Sequence, residues 1–146
     1  MRVEIKINAS CVEPKVVIIT NSMTEEIDRM VKQLSETAPQ IITGSKDGKL
    51  EILEQKDLIR LYAGSGKVFA MTTHGEYALR LRLYELEERL DKGRFVRISN
   101  SEIINLKKAE SFDLSLTGTI CVKFSNGMRT YVSRRYVPRI KKILGV

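Results

Sequence analysis

Residues 119–132 read TICVKFSNGMRTYV and carry the clearest fold signal in the chain. Strand-forming residues flank Ser125-Asn126-Gly127 on both sides. An Asn-Gly pair between two such runs is the strongest short-range signal for a β-hairpin. The segment therefore predicts two antiparallel strands, at residues 119–124 and 128–132.

The same β pattern extends back from this hairpin to about residue 46. Glycine-containing turns separate several strand-like runs, as is typical of antiparallel sheets. With 42% hydrophobic and 29% charged residues, the composition is that of an ordinary globular protein. The fold class is therefore mostly β with short helices. Further strands are predicted at residues 49–54, 58–62, 67–73, 77–81, 94–98 and 112–116.

Two short helices interrupt the β pattern. Leucines at helical spacing over residues 83–90 predict the first. The second is predicted after Ser133, with an apolar face contributed by residues 140–144. Pro138 lies too deep in this segment for a regular first turn, so the start of the helix is expected to be irregular.

The N-terminal residues predict two strands followed by a helix. Apolar residues alternate with polar ones over residues 3–7 and run together over residues 16–20, which indicates the strands. The helix is predicted over residues 23–34, where apolar residues recur at helical spacing. Ser22 and Glu25 match a capping box at its start.

Turn-forming residues at positions 44–48 predict a boundary. A β-α extension of residues 1–45 would then precede a main domain of residues 46–146. The apolar face of the predicted helix has to be buried against a sheet, either of this chain or of a second copy. The extension is therefore a candidate dimerisation element, and packing on its own chain is the alternative.

The net positive charge is concentrated at the C-terminal end. The chain carries +7 at pH 7, and residues 114–146 hold seven Lys and Arg with no Asp or Glu. Such a patch suits phosphate groups. The alternative is a solvated basic helix whose cations favour the helix dipole. That alternative accounts for Lys141 and Lys142 but not for Arg129, Arg134 and Arg135, which precede the helix.

Nothing in the sequence predicts an enzyme, a metal site or a cofactor. The sole histidine, His74, lies in a predicted turn, and two cysteines make neither a disulfide framework nor a metal site. The segment Gly64-Ser65-Gly66-Lys67 lacks the spacing of a phosphate-binding loop. No signal peptide or membrane-spanning run is present in the sequence, so we expect a cytoplasmic protein that does not insert into membranes.

Three blocks of sequence follow one another between residues 47 and 145: DLIRLYAG at residues 57–64, FVRISNSEIINL at residues 95–106, and SNG at residues 125–127 followed by YVSRR at residues 131–135. In their composition and order these blocks resemble the LytTR family of bacterial DNA-binding domains. In the family the second block usually has the form Phe-x-Arg-x-His-x-Ser-x-x-x-Asn. This chain keeps Arg97, Ser101 and Asn105, and it has Ser99 where His is common.

The resemblance implies an elongated β fold of small antiparallel sheets that inserts loops into successive major grooves. It also implies a transcription regulator that recognises paired direct repeats in promoters. Matched by position, the base-contact candidates are Lys67, Asn100 and Arg135, whose side chains suit base edges. The phosphate-contact candidates are Arg97, Ser99, Arg129, Arg134 and Arg139.

For Ser101 and Asn105, a structural role is the alternative to a DNA contact. Their side chains are the type that caps a turn, here the turn predicted at residues 102–104, through hydrogen bonds to the backbone.

The chain resembles the free-standing members of the family, because its leading residues are too few for a receiver domain. Regulation would then come from abundance, from an unidentified regulatory protein or from oligomerisation, and we expect a homodimer on double-stranded DNA. The alternative function is a non-enzymatic module that binds RNA or an acidic protein through the basic C-terminal segment. RNA is disfavoured because RNA readers display aromatic residues on a sheet. The phenylalanines here are predicted to be core residues: Phe69, Phe95, Phe112 and Phe124.

Overall fold

A computed structural model describes residues 1–35 and 41–146 of the chain. The protein divides into two compact units, an N-terminal unit of residues 1–39 and a main unit of residues 40–146. Within the described residues, no helix has the length and apolar character needed to cross a bilayer.

The first strand of the main unit corrects the predicted boundary after residue 45. Strand β1 (Ile42–Lys46) pairs with β2 (Lys49–Leu53), and the boundary would cut through it. Asp47 and Gly48 form the connecting turn with φ of 51° and 77°, the left-handed geometry of a two-residue hairpin turn. The turn-forming residues therefore close a hairpin and are not a linker.

The described residues of the N-terminal unit contain one helix and no strand. Helix α1 spans Glu25–Ser35, and its cap is Thr24 instead of Ser22, because the Thr24 hydroxyl accepts a hydrogen bond of 3.3 Å from the Ile27 amide. The two strands predicted before it are wrong. Described residues 1–24 form no ladder, and Val3 and Ile5 are 80% and 86% exposed. Alternation alone does not make a strand where no neighbouring strand pairs with it.

The main unit is built from antiparallel strands in two sheets. The further strands are β3 (Leu58–Gly64), β4 (Lys67–Thr72), β5 (Gly75–Leu79), β6 (Phe95–Ser99), β7 (Glu102–Asn105), β8 (Ala109–Asp113), β9 (Ile120–Phe124) and β10 (Arg129–Val132). Among the described residues, seven strands form one sheet in the order β2-β1-β5-β4-β3-β7-β6, and three form the other in the order β10-β9-β8. This mostly β architecture with short helices confirms the predicted fold class.

Residues 41–146 of the main unit include two α-helices. Helix α2 spans Leu83–Arg89 and helix α3 spans Val137–Leu144. A 3₁₀ turn at Arg134–Tyr136 precedes α3, and Pro138 lies in the first turn of the helix. The predicted irregular start of the last helix is therefore confirmed.

Strand β7 corrects the turn predicted at residues 102–104. All four of its residues are buried between β3 and β6, and Ile103 and Ile104 contact different cores. A short strand with both faces covered shows no alternation, so its sequence has no period from which to predict it.

Strand β8 begins and ends three residues before its predicted position at 112–116. Asp113 ends it, because its carboxylate accepts hydrogen bonds from the amide and the hydroxyl of Ser115, at 2.9 and 2.6 Å. An Asx turn of this kind diverts the chain away from the ladder.

The predicted core position of the phenylalanines holds for two of four. Phe95 and Phe124 are buried. Phe112 is half-buried against the core between the sheets, and Phe69 is half-buried beside Tyr62, with ring centroids 5.5 Å apart.

Two hydrophobic cores lie on opposite faces of β3, β6 and β7. The first core packs α2 onto the seven-stranded sheet, and the second lies between the two sheets and is closed by Ile140 of α3. Leu61 and Ile59 of β3 face the first and the second core respectively. These three strands therefore hold the loops at their ends in a defined relation to one another.

Candidate nucleic-acid interface

Three loops of the main unit carry the candidate base contacts. Loop 1 (residues 64–67) joins β3 to β4, loop 2 (residues 99–102) joins β6 to β7, and loop 3 (residues 133–136) follows β10. Lys67, Asn100 and Arg135 lie on loops 1, 2 and 3 respectively, and all three side chains are exposed.

The backbone alone shapes loop 1. Ser65 and Gly66 occupy the two central positions of the turn with φ of 53° and 74°, so that Gly64 pairs directly with Lys67. Within the part of the chain that the structure describes, the Lys67 ammonium makes no hydrogen bond or ion pair. Loop 1 therefore presents an unpaired cation at the end of a tight hairpin.

Arg97 holds loop 2 from inside. Its Nε donates to the Ser99 carbonyl at 2.7 Å and its Nη2 donates to the Asn100 carbonyl at 2.5 Å. Its Nη1 lies 3.3 Å from the Glu87 carboxylate on α2, and the side chain is only 15% exposed. The predicted phosphate contact of Arg97 stays a prediction, and in the structure its guanidinium shapes the loop.

Ser99 also serves the shape of loop 2. Its hydroxyl accepts a hydrogen bond of 3.2 Å from the Ser101 amide and lies 3.3 Å from the Ser101 hydroxyl. The Ser101 carbonyl in turn accepts from the amide of Ala63, at the end of β3, at 2.8 Å. These bonds, with those of Arg97, leave the Asn100 side chain at the exposed tip.

Loop 3 lies against loop 2. The Ser133 amide donates to the Ile98 carbonyl at 2.9 Å, and the Tyr136 hydroxyl donates to Asn100 Oδ1 at 3.2 Å. Arg134 and Arg135 are both exposed in the 3₁₀ turn between these two contacts. The structure therefore brings Asn100 and the turn that carries Arg135 together.

The other two phosphate candidates are exposed at different places. Arg129 lies at the start of β10, where its charge contributes to lowering the pKa of Asp113, after the larger effect of the two Ser115 hydrogen bonds. Arg139 lies on α3, three residues after Tyr136. Both are free to meet solvent or a polyanion.

Asn105 has a structural role, but the predicted cap of a turn at residues 102–104 is wrong, because those residues form β7 and Asn105 caps the 3₁₀ turn at Leu106–Lys108. The fully buried side chain donates from Nδ2 to the Leu58 carbonyl at 2.7 Å and accepts from the Lys107 amide at 2.9 Å. Asn105 thus ties β7 to β3 and caps the 3₁₀ turn that follows.

A basic groove runs between loops 1 and 2. It has a volume of about 460 Å³, and Lys67, Asn100, Arg80 and Arg82 are among the residues that line it. The last two are exposed in the segment between β5 and α2, and the sequence interpretation missed them. The available signal was the alternation of Arg80 and Arg82 around Leu81, because alternate residues of an extended segment face the same side.

A buried carboxylate joins the two sheets behind loop 2. Glu102 Oε1 accepts a hydrogen bond of 2.8 Å from the Thr130 hydroxyl on β10, and Arg60 Nε on β3 lies 3.1 Å from Oε2 as an ion pair. Burial raises the pKa of Glu102, and the Thr130 hydrogen bond and the Arg60 charge oppose that shift. The group anchors the loop and does not face the groove.

One family model matches most of the chain. The family model described as LytTr DNA-binding domain matches residues 48–145. A protein of Staphylococcus aureus strain NCTC 8325, named as an uncharacterized HTH-type transcriptional regulator, is 31% identical over 100% of this chain and 99% of its own length. A protein of the same name from strain MRSA252 is 30% identical over the same shares.

A solved structure has the same fold as the main unit. It is a LytTr DNA-binding domain from Bacillus cereus, with a TM-score of 0.71 and 22% identity, and the match covers 75% of this chain and 100% of that one. The name of the relatives refers to a helix-turn-helix. In the part of this chain that the structure describes, strands separate the three α-helices.

Proposed function

Because the chain belongs to the LytTR family of DNA-binding domains, we propose that it is a transcription regulator that binds specific sequences of double-stranded DNA through loops 1, 2 and 3. The observation that carries the proposal is the exposure of Lys67, Asn100 and Arg135 at the tips of three loops of one unit. Amide and guanidinium groups can pair with adenine and guanine edges in the major groove. The family is one of DNA-binding domains and not of enzymes.

Phosphate contacts flank these base contacts and fix the register of the protein on the duplex. The predicted contacts of Arg97 and Ser99 have less support than the others, since their polar groups make hydrogen bonds within loop 2. The proposed phosphate contacts are Arg80, Arg82, Arg129, Arg134 and Arg139.

Paired direct repeats are the proposed form of the DNA site, and they call for two copies of the protein. The N-terminal unit supports a dimer, because Val17 and Met23, at 68% and 72% exposed, are among many large apolar side chains that it leaves in solvent. Light scattering on the full chain and on residues 40–146 tests this. A full-length chain that stays monomeric at micromolar concentration contradicts the dimer.

The proposed place of action is the cytoplasm, where bacterial DNA is found, and an unidentified regulatory protein is a proposed second partner. RNA binding by the sheet is less well supported. The Tyr62 hydroxyl bonds to Glu76, and the Arg60 guanidinium lies 4.3 Å from the centroid of the Tyr62 ring. The hydroxyl and the ring face of Tyr62 therefore both have partners within the chain already.

Selection of bound fragments from random duplex DNA by the full chain tests the function. We expect one enriched sequence, whose binding weakens with salt by about 0.9 log units per neutralised phosphate for each log unit of salt. Replacement of Arg135 by Ala should cost about 1–3 kcal/mol at a limited set of base pairs, whereas Arg139→Ala should weaken all duplexes alike. Failure to enrich any duplex, or equal enrichment of single-stranded RNA, contradicts the proposal.

A further inference from the structure

Asn100 needs a fixed amide to discriminate between bases. An asparagine side chain has an acceptor oxygen and a donor nitrogen, and recognition of adenine requires both in a set order. The Asn100 side chain lies on an exposed loop tip, where its amide is free to rotate unless a neighbour holds it. The structure supplies that neighbour in Tyr136.

Tyr136 is well suited to hold the amide because it is itself held. Its ring packs, half-buried, against the core between the two sheets, and its hydroxyl donates to Asn100 Oδ1 at 3.2 Å. Its amide donates to the Ser133 carbonyl at 2.9 Å, which closes the 3₁₀ turn of loop 3. The hydroxyl is thus fixed relative to the scaffold and not only to its own loop.

The acceptor side of this hydrogen bond is fixed as well. The Arg97 guanidinium donates to the backbone carbonyls of Ser99 and Asn100, and the Ser133 amide joins loop 3 to the Ile98 carbonyl. Both ends of the Tyr136–Asn100 bond therefore belong to segments with independent anchors. Its role is to select the orientation of the amide, since other bonds already hold the two loops together.

We propose that Tyr136 is a positioning residue that sets the amide of Asn100 for base recognition. With Oδ1 held by the hydroxyl, Nδ2 is left as the free donor, and Oδ1 keeps a second lone pair for a base amino group. Tyr136 directly follows Arg135 in loop 3. A side chain of loop 3 therefore orients the base-contact residue of loop 2, an inference that rests on the proposed DNA-binding function.

The test is the discrimination between base pairs by Tyr136→Phe. This variant keeps the ring and its packing and removes only the hydroxyl. We expect the base pair sensed by Asn100, identified as the one at which Asn100→Ala loses discrimination, to be discriminated about 2- to 12-fold less well, the range of one hydrogen bond. The salt dependence of binding, the base pairs sensed by Arg135 and the melting temperature should stay as in the wild type.

Two controls make the result specific. Tyr77→Phe also removes a single tyrosine hydroxyl, and it lies on β5, outside the three loops. It should leave discrimination at every base pair unchanged. In the Asn100→Ala background, Tyr136→Phe should have no further effect on discrimination, because the amide on which it acts is gone.

The outcomes separate the proposed DNA-binding function from the proposed positioning role of Tyr136. A wild-type chain that enriches no duplex overturns both. If the wild type is sequence-specific, three results overturn the positioning role alone: full discrimination by Tyr136→Phe, an equal loss at all base pairs, or the same loss in the Asn100→Ala background. An Asn100→Ala variant that discriminates between base pairs as well as the wild type also overturns the positioning role.

Discussion

Loops 1 and 2 present their base-contact candidates in similar ways but are shaped by different forces. Loop 1 depends on two residues with positive φ, and no atom lies within 4 Å of a Cβ placed on Gly66. Loop 2 depends on side chains that reach it from β6, α2 and loop 3, with Arg97 at the centre. Loop 1 should therefore tolerate substitutions outside Ser65 and Gly66. The shape of loop 2, in contrast, should change when residues that do not contact DNA are replaced.

The largest effect is expected for Arg97→Ala. The change leaves the carbonyls of Ser99 and Asn100 and the Glu87 carboxylate without their partner. Hydrogen bonds to a charged group contribute about 1.5–3 kcal/mol each, so we expect the free energy of unfolding to fall by about 3 kcal/mol. Chemical denaturation measures it. Arg80→Ala, which removes an exposed arginine, is the control, and equal stability of the two variants would remove the distinction between the loops.

The next effect tests the turn of loop 1. Gly66 has a φ of 74°, and an L-residue in this left-handed region costs about 1–2 kcal/mol. Gly66→Ala should lower the free energy of unfolding by that amount. Gly64→Ala is the matched control in the same hairpin, because its φ is not positive and nothing lies within 4 Å of an added Cβ. A Gly66→Ala variant as stable as Gly64→Ala would show that the backbone does not set loop 1.

A third prediction concerns the pH dependence of stability and applies only to Glu102, which anchors loop 2. Burial raises the pKa of Glu102 above its ordinary value of 4.5. Its contribution to stability is therefore fully present below 4.5 and is lost as the pH rises through the raised pKa. The free energy of unfolding of the wild type minus that of Glu102→Gln should fall over this range. Denaturation between pH 4 and 8 measures it, and a difference that grows with pH contradicts the prediction.

The smallest effect is expected for Lys67→Ala. A surface substitution without partners changes the free energy of unfolding by no more than about 0.5 kcal/mol. Binding to the selected duplex should weaken nonetheless. A thermal melt of the free protein, recorded beside a binding titration, separates the two quantities, and a clear loss of stability would mean that the Lys67 side chain helps to shape loop 1.

Local signals predicted the parts of the fold that local chemistry determines. The hairpin of β9 and β10 was found from Asn126-Gly127 and formed as expected, with the Met128 amide bonded to the Asn126 side chain at 3.0 Å. Strand β1 was missed because Gly44 suggested a turn. A Cβ at that position would lie 2.7 Å from the Cβ of Tyr77, so the glycine serves close packing between strands.

The candidate site likewise has a part that local sequence predicted and a part that depends on distant partners. The exposure of Lys67, Asn100 and Arg135 agrees with the predicted contacts, whose role in DNA binding remains a proposal. The functions of Arg97 and Tyr136 were not predictable, because their partners lie on other elements and only the folded chain brings them together. An arginine in a sequence motif does not reveal whether its guanidinium faces solvent or its own backbone.

The sharing of β3, β6 and β7 by both hydrophobic cores has a consequence for the order in which the main unit opens. All three strands contribute residues to both cores, so disruption of these strands exposes both cores at once, and we expect one cooperative transition and not two. Backbone amides of β7, which lies between β3 and β6 with all four residues buried, should exchange with deuterium last, at the rate of global opening. Loop 1 extends from β3, and loop 2 connects β6 to β7. Two of the proposed DNA contacts therefore extend from the most protected part of the molecule.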